Sequence, residues 1–198
     1  MEGNERLGDD LAWQERRREL VAACRIFDLY RVERQAPDGR KGSFYLLDAP
    51  DWATVIPYFG SEEELAAREG DFLMVEQYRH GIHQVTIEFP AGTVDPGEDP
   101  ANCARRELEE ETGRRASSLL HLGSVCPNPA FLNNRVHFYL ATGLAEAGAQ
   151  NLDEHEEIAL HRQPVRDVLA RMGSVPYNNG VMMMALGYLD RWVRERKN

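Results

Sequence analysis

The stretch Gly92-Thr-Val-Asp-Pro-Gly-Glu98, continued by Arg106-Glu-Leu-Glu-Glu-Glu-Thr-Gly113, decides how this chain is read. Val94-Asp-Pro-Gly97 has the composition of a turn, Glu98–Thr112 reads as a helix, and Gly113 is a stop signal. On that helix Glu107, Glu110 and Glu111 fall at i, i+3 and i+4, so three carboxylates share one face. Like charges at that spacing repel by roughly a few tenths of a kcal/mol per exposed pair. Partial burial would also raise their pKa values. A hard divalent cation removes the conflict, and an all-oxygen donor set suits Mg²⁺ or Mn²⁺. Gly92 lets the backbone come close to a ligand, and the carbonyl of Ala91 is a further oxygen donor beside it. Arg106 can pair with Glu110, or across the loop with Glu98. An acidic helix face alone signals only exposure. The spaced glycines, Glu98 and Arg106 are what turn the reading toward a cation site.

Outward from this segment, alternating or apolar runs predict strands at 72–79 and 84–89, joined by a turn at His80-Gly81, and at 119–126 and 136–142. Residues 24–34, 43–48 and 53–59 predict an N-terminal antiparallel meander, with Ala36-Pro-Asp-Gly-Arg40 as a turn. The charged run Leu11-Ala-Trp-Gln-Glu-Arg-Arg-Arg-Glu-Leu20 reads as a short helix. Residues 61–70 read as a loop or short helical turn, and 145–157 as an acidic loop. A strand at 157–163, a short helix from Pro164 to Arg171 and a last helix over 178–195 complete the chain. This order of strands and helices implies a layered α/β fold, divided as a strand lobe over 1–60 and a main domain over 61–198.

The 198 residues suffice for a stable core, and 42% hydrophobic with 28% charged residues is ordinary for a globular protein. A formal charge of −10 argues against a nucleic-acid polymer as partner. It leaves room for a small anionic substrate where a metal or an arginine neutralises it. No apolar run is long enough for a membrane span, and the first residues lack a signal-peptide pattern. Cys24, Cys103 and Cys126 form neither a zinc spacing nor a disulfide framework. A cytoplasmic setting is the expectation.

Gly92 to Gly113 resembles the Nudix box, G-x5-E-x7-R-E-U-x-E-E-x-G-U, where U is a bulky aliphatic residue. Gly92, Glu98, Arg106, Glu107, Glu110, Glu111 and Gly113 all match in register, and Leu108 fills the first U. Chance agreement is on the order of one in 10⁸ per starting position. Arg114 departs from the last U. Glu76-Gln-Tyr-Arg79 and Glu88-Phe-Pro-Ala-Gly92 resemble segments of the ADP-ribose and nucleotide-sugar hydrolases, and Pro127-Asn-Pro-Ala-Phe131 resembles their post-box segment. Asn133-Asn134 stands where that group usually has an acidic stretch, which puts the exact substrate in question.

The resemblance implies an αβα sandwich with a mixed sheet, plus the N-terminal antiparallel strand lobe. It implies a homodimer built partly on that lobe, and Mg²⁺-dependent hydrolysis of ADP-ribose or an NDP-sugar. GDP-mannose, dinucleoside polyphosphates, NADH and a non-catalytic ADP-ribose sensor are the alternatives. It carries over Glu107, Glu110 and Glu111, with the Ala91 carbonyl, as metal ligands, and Glu98 with Arg106 as the pair that holds the helix. Asp153-Glu-His-Glu-Glu-Ile158 resembles the late acidic loop, with Glu154 as general base and Glu156 as a further ligand. Arg79, Glu88 and Phe131 are the candidate substrate contacts. Arg79, the loop glutamates Glu154 and Glu156, and Phe131 have plainer alternatives: a surface arginine at a strand end, a hydrated acidic loop, and an aromatic packed in the core or a loop.

Overall fold

The computed structural model describes residues 11–196. Two compact units result among these: residues 11–50 with 126–134, and residues 51–125 with 135–196.

The first unit is a three-stranded antiparallel sheet of β1 (Gln14–Ala23), β2 (Asp28–Gln35) and β3 (Lys41–Asp48), in that order. Residues 11–20, expected as a helix, lie largely in strand β1. The cause is visible across the ladder. Glu19 faces Arg31 and bonds it at 2.8 Å, and Glu15 faces Arg34 at 3.6 Å. The alternating charges find partners on β2, so strand pairing overrides the local helical preference. Leu47 donates its N–H to Phe131 O at 2.8 Å, and Asn133 bonds Asp48 and the Ala49 N–H, which ties 126–134 to the end of β3. Asn133 and Asn134 thus serve as loop fasteners, Asn134 donating to Pro50 O at 3.0 Å.

The second unit carries a mixed sheet ordered β10 (Ala159–Pro164), β5 (Asp71–Arg79), β4 (Trp52–Phe59), β9 (Val136–Glu146), β8 (Arg114–Val125), with β6 (Gln84–Glu88) on β5 and β7 (Ala91–Thr93) on β4. Among the described residues of this sheet, only β4 and β9 pair in parallel. Residues 53–59, expected in the N-terminal meander, instead form a central strand of this sheet. The unit boundary accordingly falls at Pro50, ten residues before the expected one. The reason is burial on both faces, which a two-layer meander does not offer. Ala53 and Val55 point to one core with Tyr139 and Ala141, while Ile56 and Tyr58 point to the other with Phe138 and Leu140.

Four helices complete the unit: α1 (Glu62–Ala66), α2 (Pro100–Thr112), α3 (Val165–Arg171) and α4 (Gly180–Glu195). Helix α2 covers one face through Cys103, Ala104 and Leu108. Helices α3 and α4 cover the other through Val165, Val168, Met182, Ala185, Leu186 and Leu189. The result is the layered αβα arrangement. Arg114, the departure from the apolar box position, opens β8 opposite Glu146 and pairs with it at 3.2 Å.

Leu108 is 1% exposed and centres the smaller core. Leu108→Ala is expected to cost about 2–5 kcal/mol, read as a lower midpoint in urea with an unchanged slope.

Candidate active site

Helix α2 is defined at both ends. Asp99 accepts from the Ala101 N–H at 2.8 Å, Pro100 occupies the first turn, and Gly113 closes the helix at φ 65°. Its apolar side fixes the rotation. Cys103 and Glu107, then Ala104, Leu108 and Glu111, follow the same stripes, so the carboxylates enter the protein with the core residues. Glu111 is only 3% exposed. Its Oε2 accepts from the Ala91 N–H at 3.2 Å. Glu107 packs under β7 so closely that a Cβ added at Gly92 would lie 1.9 Å from its Oε1. Any side chain at that position would have to displace the Glu107 carboxylate.

Arg106 is the hub of the loop and helix. Its Nε and Nη2 donate to the two oxygens of Glu98 at 3.2 and 3.1 Å, and Nη2 also reaches Thr93 O at 3.1 Å. Its Nη1 donates to Glu107 at 2.6 Å and Glu110 at 3.1 Å. The Glu98 hydrogen bond is the largest of the causes that hold the Arg106 proton more tightly than usual. The same bond lowers Glu98 below the ordinary carboxylate range.

One cation does not balance this cluster. Burial pushes Glu107 up to about 7, against the pull of Arg106 and with help from Glu110 and Glu156. Burial, then Glu107 and Glu156, pushes Glu111 up to about 9. Among the described residues no three acidic, histidine or cysteine side chains converge as a ready ligand set, and Arg106 holds two of the three helix glutamates. The donors nevertheless fit a hard divalent ion: carboxylate oxygens, held on a capped helix, with Glu107 and Glu111 pushed toward the protonated form by burial and neighbouring negative charge.

A cleft of about 1360 Å³ runs along this site. Arg79, Glu88, Ala91, Gly92, Glu154 and Glu156 are among the residues lining it. Arg79 and Glu88 meet as a fork, Nε to Oε1 at 2.7 Å and Nη2 to Oε2 at 2.8 Å. Glu88 is 3% exposed and also accepts from Thr86 Oγ1 at 2.7 Å and from the amide of Asn179. Burial opposes the charge on Arg79, but Glu88, then Glu111 and Glu156, raise its pKa.

The acidic loop is held at its root. Gln150 Nε2 donates to Glu111 O at 2.7 Å and to Ile158 O at 3.3 Å, and the Asn151 N–H donates to Glu110 O at 2.9 Å. Beyond that root Glu154 and Glu156 are exposed. Glu156 bonds the Asp153 N–H at 3.2 Å. Phe131 is 43% exposed, on the 126–134 segment of the first unit, and is not among the residues lining the cleft. Gln150 and Asn179 had no motif to mark them. Asn179 carried one usable signal, an asparagine directly before an apolar helical run.

A family model described as a NUDIX domain matches residues 64–179. An ADP-ribose pyrophosphatase of Bacillus subtilis (strain 168) is 28% identical over 174 residues, covering 87% of this chain and 90% of that protein. A methanol dehydrogenase activator of Bacillus methanolicus is 30% identical over 173 residues, covering 87% of this chain and 89% of its own length. A crystal structure of an ADP compounds hydrolase aligns with TM-score 0.78 at 21% identity, over 94% of this chain and 97% of that one, a likeness of fold.

The raised carboxylates set a pH dependence. Glu107 and Glu111 hold their protons more tightly when folded than when unfolded, where they titrate near 4.5. Folding stability without metal is therefore expected to fall as pH rises from the ordinary carboxylate range through about 7 and about 9. Added Mg²⁺ should reduce that fall, because it replaces the retained protons. Thermal melts across pH, with chelator and with Mg²⁺, measure both effects.

Proposed function

Because the chain belongs to the Nudix family of hydrolases, we propose that it cleaves the pyrophosphate of a small nucleoside diphosphate, ADP-ribose or an NDP-sugar. The observation that carries this reading is an arginine fork in a cleft whose wall at Ala91 and Gly92 lies against the buried, under-neutralised carboxylates of Glu111 and Glu107. Such a site takes a substrate that brings phosphate oxygens and a divalent cation together. The named activity of the B. subtilis relative points to ADP-ribose among such substrates.

Glu107, Glu110, Glu111 and Glu156, with the Ala91 carbonyl, would hold Mg²⁺, or Mn²⁺ in its place. When bound, the ion supplies positive charge to the phosphate oxygens and to the buried carboxylates. The chain's own groups do the rest. Arg106, through Glu98 and Thr93 O, holds the loop against the helix that carries the glutamates. Arg79 binds a phosphate of the diphosphate. Glu154 accepts the proton of a water whose oxygen bonds to one phosphorus as the bridging P–O bond breaks. ADP-ribose then yields AMP and ribose 5-phosphate, and an NDP-sugar yields NMP and sugar 1-phosphate. The intact set of box glutamates favours this reading over a non-catalytic sensor.

We also propose a homodimer that covers the first unit's sheet. Among the described residues that unit buries Val32 and Ala36 but leaves Leu20, Val21, Ile26 and Tyr45 at least half exposed. Light scattering tests this, and a strict monomer at assay concentration refutes it.

The reaction is tested with a panel of ADP-ribose, NDP-sugars, dinucleoside polyphosphates and NADH, with Mg²⁺ and with chelator. ADP-ribose or an NDP-sugar is expected to have the highest kcat/KM, and turnover should vanish with chelator. Glu111→Gln should lower kcat by about 100-fold or more while the melting temperature without metal holds or rises at pH 8. No turnover of any compound would overturn the reading.

A further inference from the structure

We infer that Asn179 is a positioning residue for the diphosphate, acting through Glu88 on Arg79. This rests on the proposed role of Arg79 as the phosphate contact.

The chain reaches Asn179 by a route that leaves it little freedom. The segment between α3 and α4 lies along β6, where the Ile87 N–H donates to Pro176 O at 2.9 Å and Asn178 Nδ2 contacts Gln84 Oε1 at 3.4 Å. Asn179 then divides its amide between two tasks. Its Oδ1 accepts from the N–H groups of Val181 and Met182 at 2.8 and 3.1 Å, which caps α4. Its Nδ2 donates to Glu88 Oε2. The cap fixes the oxygen, and the planar amide therefore fixes where the nitrogen points.

Glu88 needs that fixing because of what it does to Arg79. Gln84 lies across from Arg79 in the β5–β6 ladder, whereas Glu88 lies across from Val75. Arg79 must fold back along the sheet by four residue pairs to meet its partner. A long, partly exposed side chain does not hold such a conformation unaided, because its rotamer entropy opposes it. The buried Glu88 carboxylate holds it by the Nε–Nη2 edge. Among the described residues Nη1 makes no hydrogen bond, so the Nη1–Nη2 edge is left for a pair of phosphate oxygens. Thr86 and Asn179 donate to Glu88 from its remaining sides. Without the Asn179 donor the carboxylate can rotate, and the arginine rotates with it.

The two tasks of Asn179 separate by substitution. Asn179→Asp and Asn179→Ser both retain a good helix cap. Both lose the amide Nδ2 donor, and the aspartate adds repulsion against Glu88. The experiment compares wild type, Asn179→Asp, Asn179→Ser, Arg79→Ala and the Asn179→Asp/Arg79→Ala double variant, with two readouts. The first is steady-state hydrolysis of ADP-ribose. The second is calorimetric binding of ADP in Mg²⁺, which needs no turnover.

Both caps should leave the melting temperature near wild type. Asn179→Asp should raise KM for ADP-ribose, and weaken ADP binding, by about 10- to 100-fold, with kcat changed by less than about threefold. Asn179→Ser should have a smaller effect in the same direction. In the Arg79→Ala background, Asn179→Asp should add almost nothing, since the group it positions is gone. Wild-type KM and ADP affinity in Asn179→Asp would overturn the inference, and so would an Asn179→Asp effect that persists in full without Arg79. If the wild type hydrolyses no member of the panel, the proposed function fails instead. The ADP titrations then judge the positioning role by the same two criteria.

Discussion

The docking of α2 against β4 and β9 is the constraint on which the site depends. Cys103, Ala104 and Leu108 lock the helix rotation by packing on Ala53, Val55, Tyr139 and Ala141. With the rotation fixed, the carboxylates have no choice of environment. Glu107 goes beneath Gly92 and Glu111 goes beneath the Ala91 amide. A solvated acidic helix would relieve its repulsion by turning its charges outward. This one spends part of its hydrophobic stabilisation on keeping two carboxylates partly or almost wholly inside. Burial dominates both pKa shifts for that reason, with neighbouring charge second.

Arg106 limits the cost without removing it. It bonds Glu98, Glu107 and Glu110 together with a backbone carbonyl, which joins loop to helix. A single guanidinium facing three carboxylates leaves net negative charge, and Glu111 lies outside its reach. Rigidity and unbalanced charge come from the same arrangement, and both are properties a cation site requires.

The box was legible because its spacing is a geometric statement. Glycine against a carboxylate, caps at both helix ends, and glutamates one turn apart each have a direct physical consequence that sequence separation alone reveals. The central β4–β9 pair was legible as two strands, but not as neighbours, because their parallel pairing joins residues some eighty positions apart. The sequence pattern places residues 53–59 in the other sheet for the same reason. Local pattern shows that a strand is apolar on both faces, not which partner covers it. The N-terminal segment failed differently. Its Glu and Arg residues suit a helix by local pairing, and only β2 across the ladder decides otherwise. Glu88 and Arg79 stand out from flanking motifs, whereas Asn179 joins Glu88 from ninety-one residues away in the chain.

The two arginines answer different parts of one electrostatic problem. Arg79 and Glu88 form a neutral pair, so the fork offers direction more than net attraction. The surrounding cleft holds Glu154, Glu156 and Glu157 on the loop, and Glu107 and Glu111 lie close to Glu156 in their charge effects. Two unit charges 4 Å apart in a partly buried setting interact by about 4 kcal/mol. A diphosphate approaching this surface alone would meet repulsion that one oriented guanidinium edge does not offset. Charge neutralisation is therefore a condition of the proposed binding, and metal dependence should be visible in binding as well as in turnover. The fork would then set which phosphate faces the carboxylates, a matter of geometry that a neutral, doubly anchored pair handles well.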